Sequence, residues 1–302
     1  MKNFISFVVL IIIIIAGIYF FNQSKVPAPE AVNPNPNTEA QVATTTTEGN
    51  LPAEEGAEIV IGKSVEGREI KAYNFGTGDT RILLIGGIHG GYSWNTSSVM
   101  FEALDYFKAN PDAIPSNIKI TIIPVLNPDG LQNATGKDGR FTKADVSTSQ
   151  DVLIASRFNA NKVDLSRNFD CDWKSVGVWQ TRQVSGGKTV FSEPESVAIK
   201  QYVESHDIKA IVAWYSAAGG VYASECGEGI SPETKKITET FAKASGYPAH
   251  ETFDFYVTNG DMVNWFAMKK IPATSVLLTN HTDVEWDKNK KGIEALIKLY
   301  TK

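Results

Sequence analysis

Polar residues that could bind a ligand or carry out chemistry follow four apolar segments of this sequence. The four polar stretches are residues 89–95, 127–130, 215–220 and 279–283. A histidine in such a stretch can bind a metal or move a proton. His89 directly follows one apolar segment, and the other three histidines show no ligand spacing with it. His89 is therefore interpreted either as a metal ligand or as a hydrogen-bonded loop residue.

The apolar segments themselves are predicted strands, and amphipathic helices alternate with them. One strand is predicted at 82–88, and a helix follows it over 94–110, with apolar residues at helical spacing. Nearly continuous apolar strands that alternate with helices are typical of an α/β domain whose sheet is largely parallel and covered on both faces. Because ligands bind at the carboxyl ends of strands in such sheets, the four polar stretches are expected to lie close together.

Local patterns give three further expectations. The segment at 58–76 is predicted to form a hairpin with Val-Glu-Gly-Arg at its turn. The sequence Asn-Pro-Asp-Gly at 127–130 is interpreted as a turn. Ser192 is the predicted N-cap of a helix, with Glu195 completing a capping box. Glu193 and Glu195 are then interpreted as helix N-terminal acids, stabilised by the helix dipole, and not as catalytic groups.

Seven segments, taken in order, resemble the zinc carboxypeptidase (carboxypeptidase A-like) family across the globular part of the chain. They are GGIHGGYSWN, PVLNPDG, RFNANKVDLSRNFDCDW, VFSEPESVAIKQY, VAWYSAAGGVY, FYVTNGDMVNW and PATSVLLTNHTDVEW. The resemblance implies one α/β/α domain, residues 57–302, with a mixed, mainly parallel twisted sheet.

The family resemblance also implies a catalytic zinc, held by two histidines and a glutamate, and a separate glutamate as general base. His89 matches the first histidine ligand. The glutamate ligand is replaced by Ser93, and the residue three after His89 is Tyr92. The second histidine is replaced by Tyr215, and the general base by Leu277. Zinc is therefore expected to be absent or weakly bound, and catalysis to be lost.

Substrate-binding positions of the family are better preserved. The resemblance assigns Arg157 to polarising the scissile carbonyl and Arg167 to binding the terminal carboxylate. Ser166 replaces an asparagine of the family beside Arg167, Tyr256 matches the tyrosine that closes over substrate, and Asn127 is retained. Either arginine could instead be a plain salt-bridge partner.

These matches favour a pseudoenzyme that binds a peptide or cell-wall peptide by its free C-terminal carboxylate. Two alternatives stay open: an active zinc metallocarboxypeptidase with a non-standard metal site, and a structural or scaffolding domain. Val263 lies two residues before Trp265, where the family tunes its pocket for the terminal side chain. Its apolar character favours peptides with apolar C-terminal residues.

The chain contains two cysteines, Cys171 and Cys226. A protein that faces an oxidising compartment tends to pair its cysteines. A disulfide between them would join the segment after Arg167 to the segment after Tyr215. Two free buried thiols are the alternative.

The N-terminal part of the chain does not have the sequence pattern of a globular domain. Residues 4–21 form an uncharged apolar run, so residues 1–21 are predicted to be an uncleaved signal anchor in preference to a cleaved signal peptide. Lys2 precedes the run, which favours an N-terminus inside and a domain outside the cytoplasm. Residues 22–56 are rich in proline, threonine, asparagine and glutamate, and are predicted to be a disordered linker.

Composition excludes one class of partner. The chain has 302 residues and a formal net charge of −5, with no dense run of lysine and arginine. Nucleic-acid binding would need a basic patch to meet the phosphates. The sequence therefore indicates a membrane-attached protein that binds peptide and not nucleic acid.

Overall fold

The computed structural model describes residues 57–302. The predicted anchor at 1–21 and the predicted linker at 22–56 lie outside the described residues. Within the described range, none of the helices combines the length and the apolar character needed to cross a membrane.

Residues 57–302 form ten strands and seven α-helices. The strands are β1 (Glu58–Lys63), β2 (Glu69–Phe75), β3 (Thr80–Ile85), β4 (Ile118–Ile123), β5 (Val176–Trp179), β6 (Arg182–Ser185), β7 (Ile208–Ser216), β8 (Gly220–Ala223), β9 (Ala249–His250) and β10 (Ala273–Leu278). The helices are α1 (Trp94–Ala109), α2 (Pro128–Thr135), α3 (Gln150–Ala155), α4 (Pro194–Glu204), α5 (Pro232–Ser245), α6 (Met262–Met268) and α7 (Trp286–Tyr300). The predicted β1–β2 hairpin is confirmed.

Eight strands form one sheet in the order β1-β2-β4-β3-β7-β10-β8-β9, and β5 and β6 form a separate hairpin. Strands β4, β3, β7 and β10 are mutually parallel neighbours. Antiparallel pairs attach β1 and β2 on one side and β8 on the other. The mixed sheet with a parallel centre is therefore confirmed, and the carboxyl ends of β3, β7 and β10 meet at one edge.

The hydrophobic core covers both faces of the sheet. Leu84 packs in one buried cluster with residues of α1, α5 and α7, whereas Leu83 and Ile85 pack in a second cluster with residues of α4 and α6. This division follows from the strand repeat, because successive side chains point to opposite faces. Tyr215 and Leu277 belong to the second cluster, so they face the layer that contains α4 and α6.

The first central strand ends earlier than its apolar run. β3 stops at Ile85, and the apolar pattern continues to Ile88 through two glycines. Gly87 has a φ of +67°, a conformation that glycine adopts at little cost. This turn places His89 at the carboxyl edge of the sheet.

Residues 127–130 open a helix and do not form a simple turn, so that prediction is wrong. Asn127 is the N-cap of α2, and its side-chain oxygen accepts a hydrogen bond from the Gly130 amide at 2.8 Å. Pro128 occupies the first helical turn, where its fixed φ and missing N–H suit a helix start. Asparagine followed by proline is thus a helix start here.

Helix α4 begins one residue later than predicted. Its N-cap is Glu193 and not Ser192, and no side-chain cap bond forms, so the predicted capping box is wrong. Pro194 explains the shift, because the residue before a proline is held in an extended conformation, here φ −95° and ψ 136°. Glu195 instead accepts a hydrogen bond from the Val65 amide, which ties α4 to the β1–β2 turn.

Candidate ligand-binding site

A pocket of about 150 Å³ opens at the carboxyl edge of the central strands. Eight of the residues singled out from the sequence line it. They are His89, Arg157, Ser166, Arg167, Tyr215, Tyr256, Val263 and Leu277. The strand register explains part of this grouping, since Tyr215 and Leu277 are direct partners in the β7–β10 ladder. A cavity of this size holds a group as large as a benzene ring, which is about one side chain.

Arg157 is buried and is held by an ion pair. Its Nε donates a hydrogen bond to Asp164 Oδ2 at 2.9 Å. Its guanidinium carbon lies 4.4 Å from the centre of the Trp179 ring and 5.8 Å from that of Tyr92. Its Nη2 has no hydrogen-bond partner among the described residues. Arg157 is therefore a salt-bridge partner with one guanidinium nitrogen left without a hydrogen-bond partner.

Arg167 is equally buried but differently bonded. Its Nη1 donates to the Ser166 carbonyl at 2.9 Å and to Ser166 Oγ at 3.2 Å. Its Nε and Nη2 both donate to the Val178 carbonyl, at 3.4 Å and 3.2 Å. The Tyr256 ring centre lies 5.8 Å from the guanidinium carbon. Within residues 57–302, Arg167 is thus oriented by carbonyl and hydroxyl oxygens, and no carboxylate is ion-paired with it.

Asp164, which is not among the site residues predicted from the sequence, lies buried beside the pocket and binds Arg157 and Ser166. It is fully buried, and Oδ1 accepts hydrogen bonds from the Ser166 amide at 3.2 Å and the Ser166 hydroxyl at 2.8 Å. Burial opposes its ionisation, but Arg157, His89 and Arg167 outweigh burial and hold the pKa of Asp164 well below its usual value. An aspartate two residues before Ser166, within a quoted motif, is the signal that could have identified it.

His89 is buried and neutral. Burial, followed by the charge of Arg157, lowers its pKa to about 3. Its Nε2 lies 3.0 Å from Ser166 Oγ, whose own proton goes to Asp164 Oδ1. Nε2 must therefore donate, and Nδ1 carries the lone pair. Nδ1 has no hydrogen-bond partner among the described residues, so one imidazole lone pair is available.

The other metal-ligand positions do not supply comparable donors. The hydroxyl oxygens of Ser93 and Tyr215 are buried and lack hydrogen-bond partners in the described part of the chain. Burial, and then the charge of Asp261, raises the pKa of Tyr215 well above its usual value, so its phenol stays neutral. Tyr92, three residues after His89, packs its ring on Trp179 and His281 with centres 4.9 Å and 4.4 Å apart.

A catalytic zinc does not fit this set of side chains. Such a site needs three histidine or carboxylate ligands and a position for water. His89 supplies one ligand, whereas a serine hydroxyl and a neutral phenol are poor substitutes. Over residues 57–302, no group of three or more histidine, cysteine, aspartate or glutamate side chains is placed to hold a metal ion.

Asn127 lies outside the residues that line the pocket. Besides capping α2, its amide nitrogen donates to the Arg157 carbonyl at 3.3 Å. Asn127 thereby connects the start of α2 to the backbone of an arginine that does line the pocket.

The predicted disulfide between Cys171 and Cys226 is confirmed, with Cα atoms 6.0 Å apart. It joins two walls of the pocket. The Cys171 carbonyl accepts a hydrogen bond from the Gly260 amide at 2.7 Å, and Glu225, beside Cys226, lines the pocket.

Comparisons with known proteins agree with this arrangement of elements. A profile of the family described as zinc carboxypeptidase matches residues 56–275. Carboxypeptidase B of Astacus astacus is 29% identical over 166 residues, which is 52% of this chain and 52% of that protein. The chain therefore spans about half the length of this curated relative.

Three solved structures share the fold at low sequence identity. Murein-tripeptide amidase MpaA from Escherichia coli O157 has a TM-score of 0.56 and 19% identity, covering 82% of this chain and 93% of that one. Carboxypeptidase A from Helicoverpa armigera has a TM-score of 0.59 and 19% identity, covering 80% and 69%. Bovine thrombin-activatable fibrinolysis inhibitor has a TM-score of 0.61 and 18% identity, covering 80% and 87%.

Proposed function

This chain belongs to the zinc carboxypeptidase family, and from that premise we propose that its domain binds the free C-terminus of a peptide without hydrolysing it. The proposal rests on one observation, that the buried Arg167 has no carboxylate partner within residues 57–302. A buried guanidinium is costly unless an anion accompanies it. Arg167 lines the pocket, yet its hydrogen bonds within residues 57–302 go to neutral oxygens. A ligand carboxylate would supply the missing charge.

The size of the pocket favours a chain end over an internal segment. A volume of about 150 Å³ accommodates one terminal residue. Arg157 lines the same pocket, and its Nη2 has no hydrogen-bond partner among the described residues. The Tyr256 ring lies over Arg167, where it can cover a bound carboxylate. Cell-wall peptides with a free carboxylate are one source of such an end.

Loss of catalysis follows from what surrounds the proposed carboxylate site. A general base must accept a proton within hydrogen-bond reach of the attacking water. Leu277 cannot do so, and the pKa of His89, about 3, leaves it a very weak base. With one zinc ligand of three, residues 57–302 supply neither the general base nor the ligand set that its family's reaction needs.

Binding should depend on the terminal carboxylate and on Arg167. We expect isothermal titration calorimetry to detect the binding of pentapeptides with a free C-terminus. Amidation of the C-terminus should reduce the affinity at least about tenfold, because a charge-assisted hydrogen bond is lost. Arg167→Ala should weaken binding to a similar degree, and Arg167→Met repeats the test with a side chain that still fills the site. Arg140→Ala, on the surface, is the matched control. Equal affinity for acid and amide forms would contradict the proposal.

Metal content separates this proposal from the alternative of an active metallopeptidase. Elemental analysis of the purified full chain should find much less than one zinc per molecule, and the same peptides should remain intact during incubation. One tightly bound zinc together with release of C-terminal residues would establish the alternative. A scaffolding role would instead show neither zinc nor carboxylate-dependent binding.

We further propose that the domain lies outside the cytoplasm, attached through residues 1–21. The support is the uncharged run at 4–21 and the polar, proline-rich segment that follows it. Protease added to intact cells should release a fragment that begins within residues 22–56, as mass spectrometry of its N-terminus would show. A domain that is cleaved only after lysis would place it on the other side of the membrane.

A further inference from the structure

The β5–β6 hairpin lies against the proposed carboxylate site. Resting on the proposed function, we infer that this hairpin positions Arg167 for the ligand, with Gly177 as the positioning residue. The backbone of β5 then determines which edge of the guanidinium a ligand carboxylate can meet.

One face of β5 is turned toward both arginines of the pocket. Gly177 and Trp179 are buried, whereas the two valines that alternate with them are exposed. Successive side chains of a strand point to opposite faces, so the two buried residues share the inner face. Trp179 contacts Arg157 there, with 4.4 Å between ring centre and guanidinium carbon. Gly177 lies against Arg167.

The contact between Gly177 and Arg167 leaves no room for a larger residue. A β-carbon at position 177 would lie 3.1 Å from Arg167 Cδ and 3.3 Å from Arg167 Cγ. Carbon atoms in ordinary contact are about 3.5 to 4.0 Å apart. Gly177 does not have the positive φ that favours glycine. Close approach of the Arg167 stem is therefore the reason that this strand position suits a glycine.

The carbonyl of the next residue holds one edge of the guanidinium. Arg167 Nε and Nη2 both donate to the Val178 carbonyl, at 3.4 Å and 3.2 Å. These two nitrogens form one edge of the planar group, so a single oxygen occupies that edge. Nη2 has a second N–H, on the edge that it shares with Nη1, and this N–H has no partner within residues 57–302. A ligand carboxylate is thereby directed to the edge formed by Nη1 and Nη2.

The hairpin can act as a support because it is itself held in place. The Asp164 amide donates to the Ser185 carbonyl of β6 at 2.9 Å. The Trp179 ring contacts a second guanidinium besides that of Arg157, since the carbon of Arg182 lies 5.6 Å from its centre. The segment that carries Asp164 and Arg167 is thus bonded to both strands of the hairpin.

Enlarging Gly177 tests the inference on the full chain in detergent, with one pentapeptide in its free-acid and amidated forms. Gly177→Val should weaken binding of the acid form at least about tenfold, because the branched side chain displaces Arg167 from the carboxylate. Affinity for the amide should stay within about threefold, so the two forms become nearly equal. Thermal melting verifies folding. Gly177→Ala, which needs a smaller shift, should show a smaller loss and provides the same test if the valine variant does not fold.

A double variant distinguishes positioning from a general structural effect. If Gly177 acts through Arg167, then Gly177→Val combined with Arg167→Ala should bind the acid form as weakly as Arg167→Ala alone. Gly139→Val is the matched control, because a β-carbon at Gly139 would have no atom within 4 Å. It should change the affinity by less than about threefold.

The outcomes separate this inference from the proposed function. A folded Gly177→Val variant that keeps the preference for the acid form would overturn the inference and leave the proposed function standing. Losses that add in the double variant would do the same. Equal binding of acid and amide by the unmodified protein would overturn both.

Discussion

Replacing Asp164 by asparagine should lower the free energy of unfolding by roughly 3 to 5 kcal/mol. Asp164 and Arg157 form an ion pair in which both side chains are almost fully buried, 0% and 1% exposed. Removing the negative charge would leave the Arg157 guanidinium desolvated without an anion, and that is what makes breaking a buried pair costly. The hydrogen bonds from Ser166 to the same carboxylate would be weakened as well.

Urea unfolding followed by tryptophan fluorescence would measure this effect. All six tryptophans lie within residues 57–302, so the signal reports on the folded domain even when the full chain is used. Asp105→Asn is the control, because it breaks the Arg140–Asp105 pair, whose side chains are about half exposed, and should cost less than about 1 kcal/mol. A loss of stability no larger in Asp164→Asn than in Asp105→Asn would contradict the role given to the buried pair.

Removing the disulfide should lower the free energy of unfolding by a similar amount. Changing Cys171 and Cys226 together to serine opens a link that spans 55 residues of sequence. The chain entropy that such a link removes from the unfolded state corresponds to about 4 kcal/mol of stability. The link also joins two walls of the pocket, so peptide affinity should fall with it.

Reduction of the unmodified protein provides an independent check on the disulfide. A reducing agent should shift its urea midpoint toward that of the double serine variant and should leave the variant itself unchanged. If both cysteines of protein purified from its own membrane react with an alkylating agent before reduction, the bond is not part of the natural protein.

Much of the fold could be predicted because its determinants are local in sequence. The apolar strands alternate with amphipathic helices, so the parallel centre of the sheet followed from pattern alone. The hairpin predicted at 58–76 is one such local signal, and β1 and β2 form it. Where local signals compete the prediction failed, as at Pro128 and Pro194, whose ring constraints determine where α2 and α4 begin.

The candidate site was predicted less completely, because its interactions join distant segments. The sequence identified both arginines as site residues but did not identify the side chains that contact them. For example, Arg157 stacks on Trp179, and the position of Trp179 depends on the β5–β6 hairpin. That hairpin turns through Gln180 at φ 54° and lacks the Asn-Gly or Asp-Gly signal that usually marks such turns. The sequence likewise singled out Val263 but not Asp261, two residues earlier, which also lines the pocket.

The position of β1 has a mechanical consequence. Within the described sheet this strand lies at an edge and pairs only with β2, and it is the first strand after residue 56. A pulling force transmitted along the preceding chain would act first on β1. That force would be resisted by the hydrogen bonds that pair β1 with β2 and by the hydrogen bond from the Val65 amide to Glu195. The pocket is built on β3, β7 and β10, inside the sheet, so an edge strand can yield to tension while the binding strands keep their pairing.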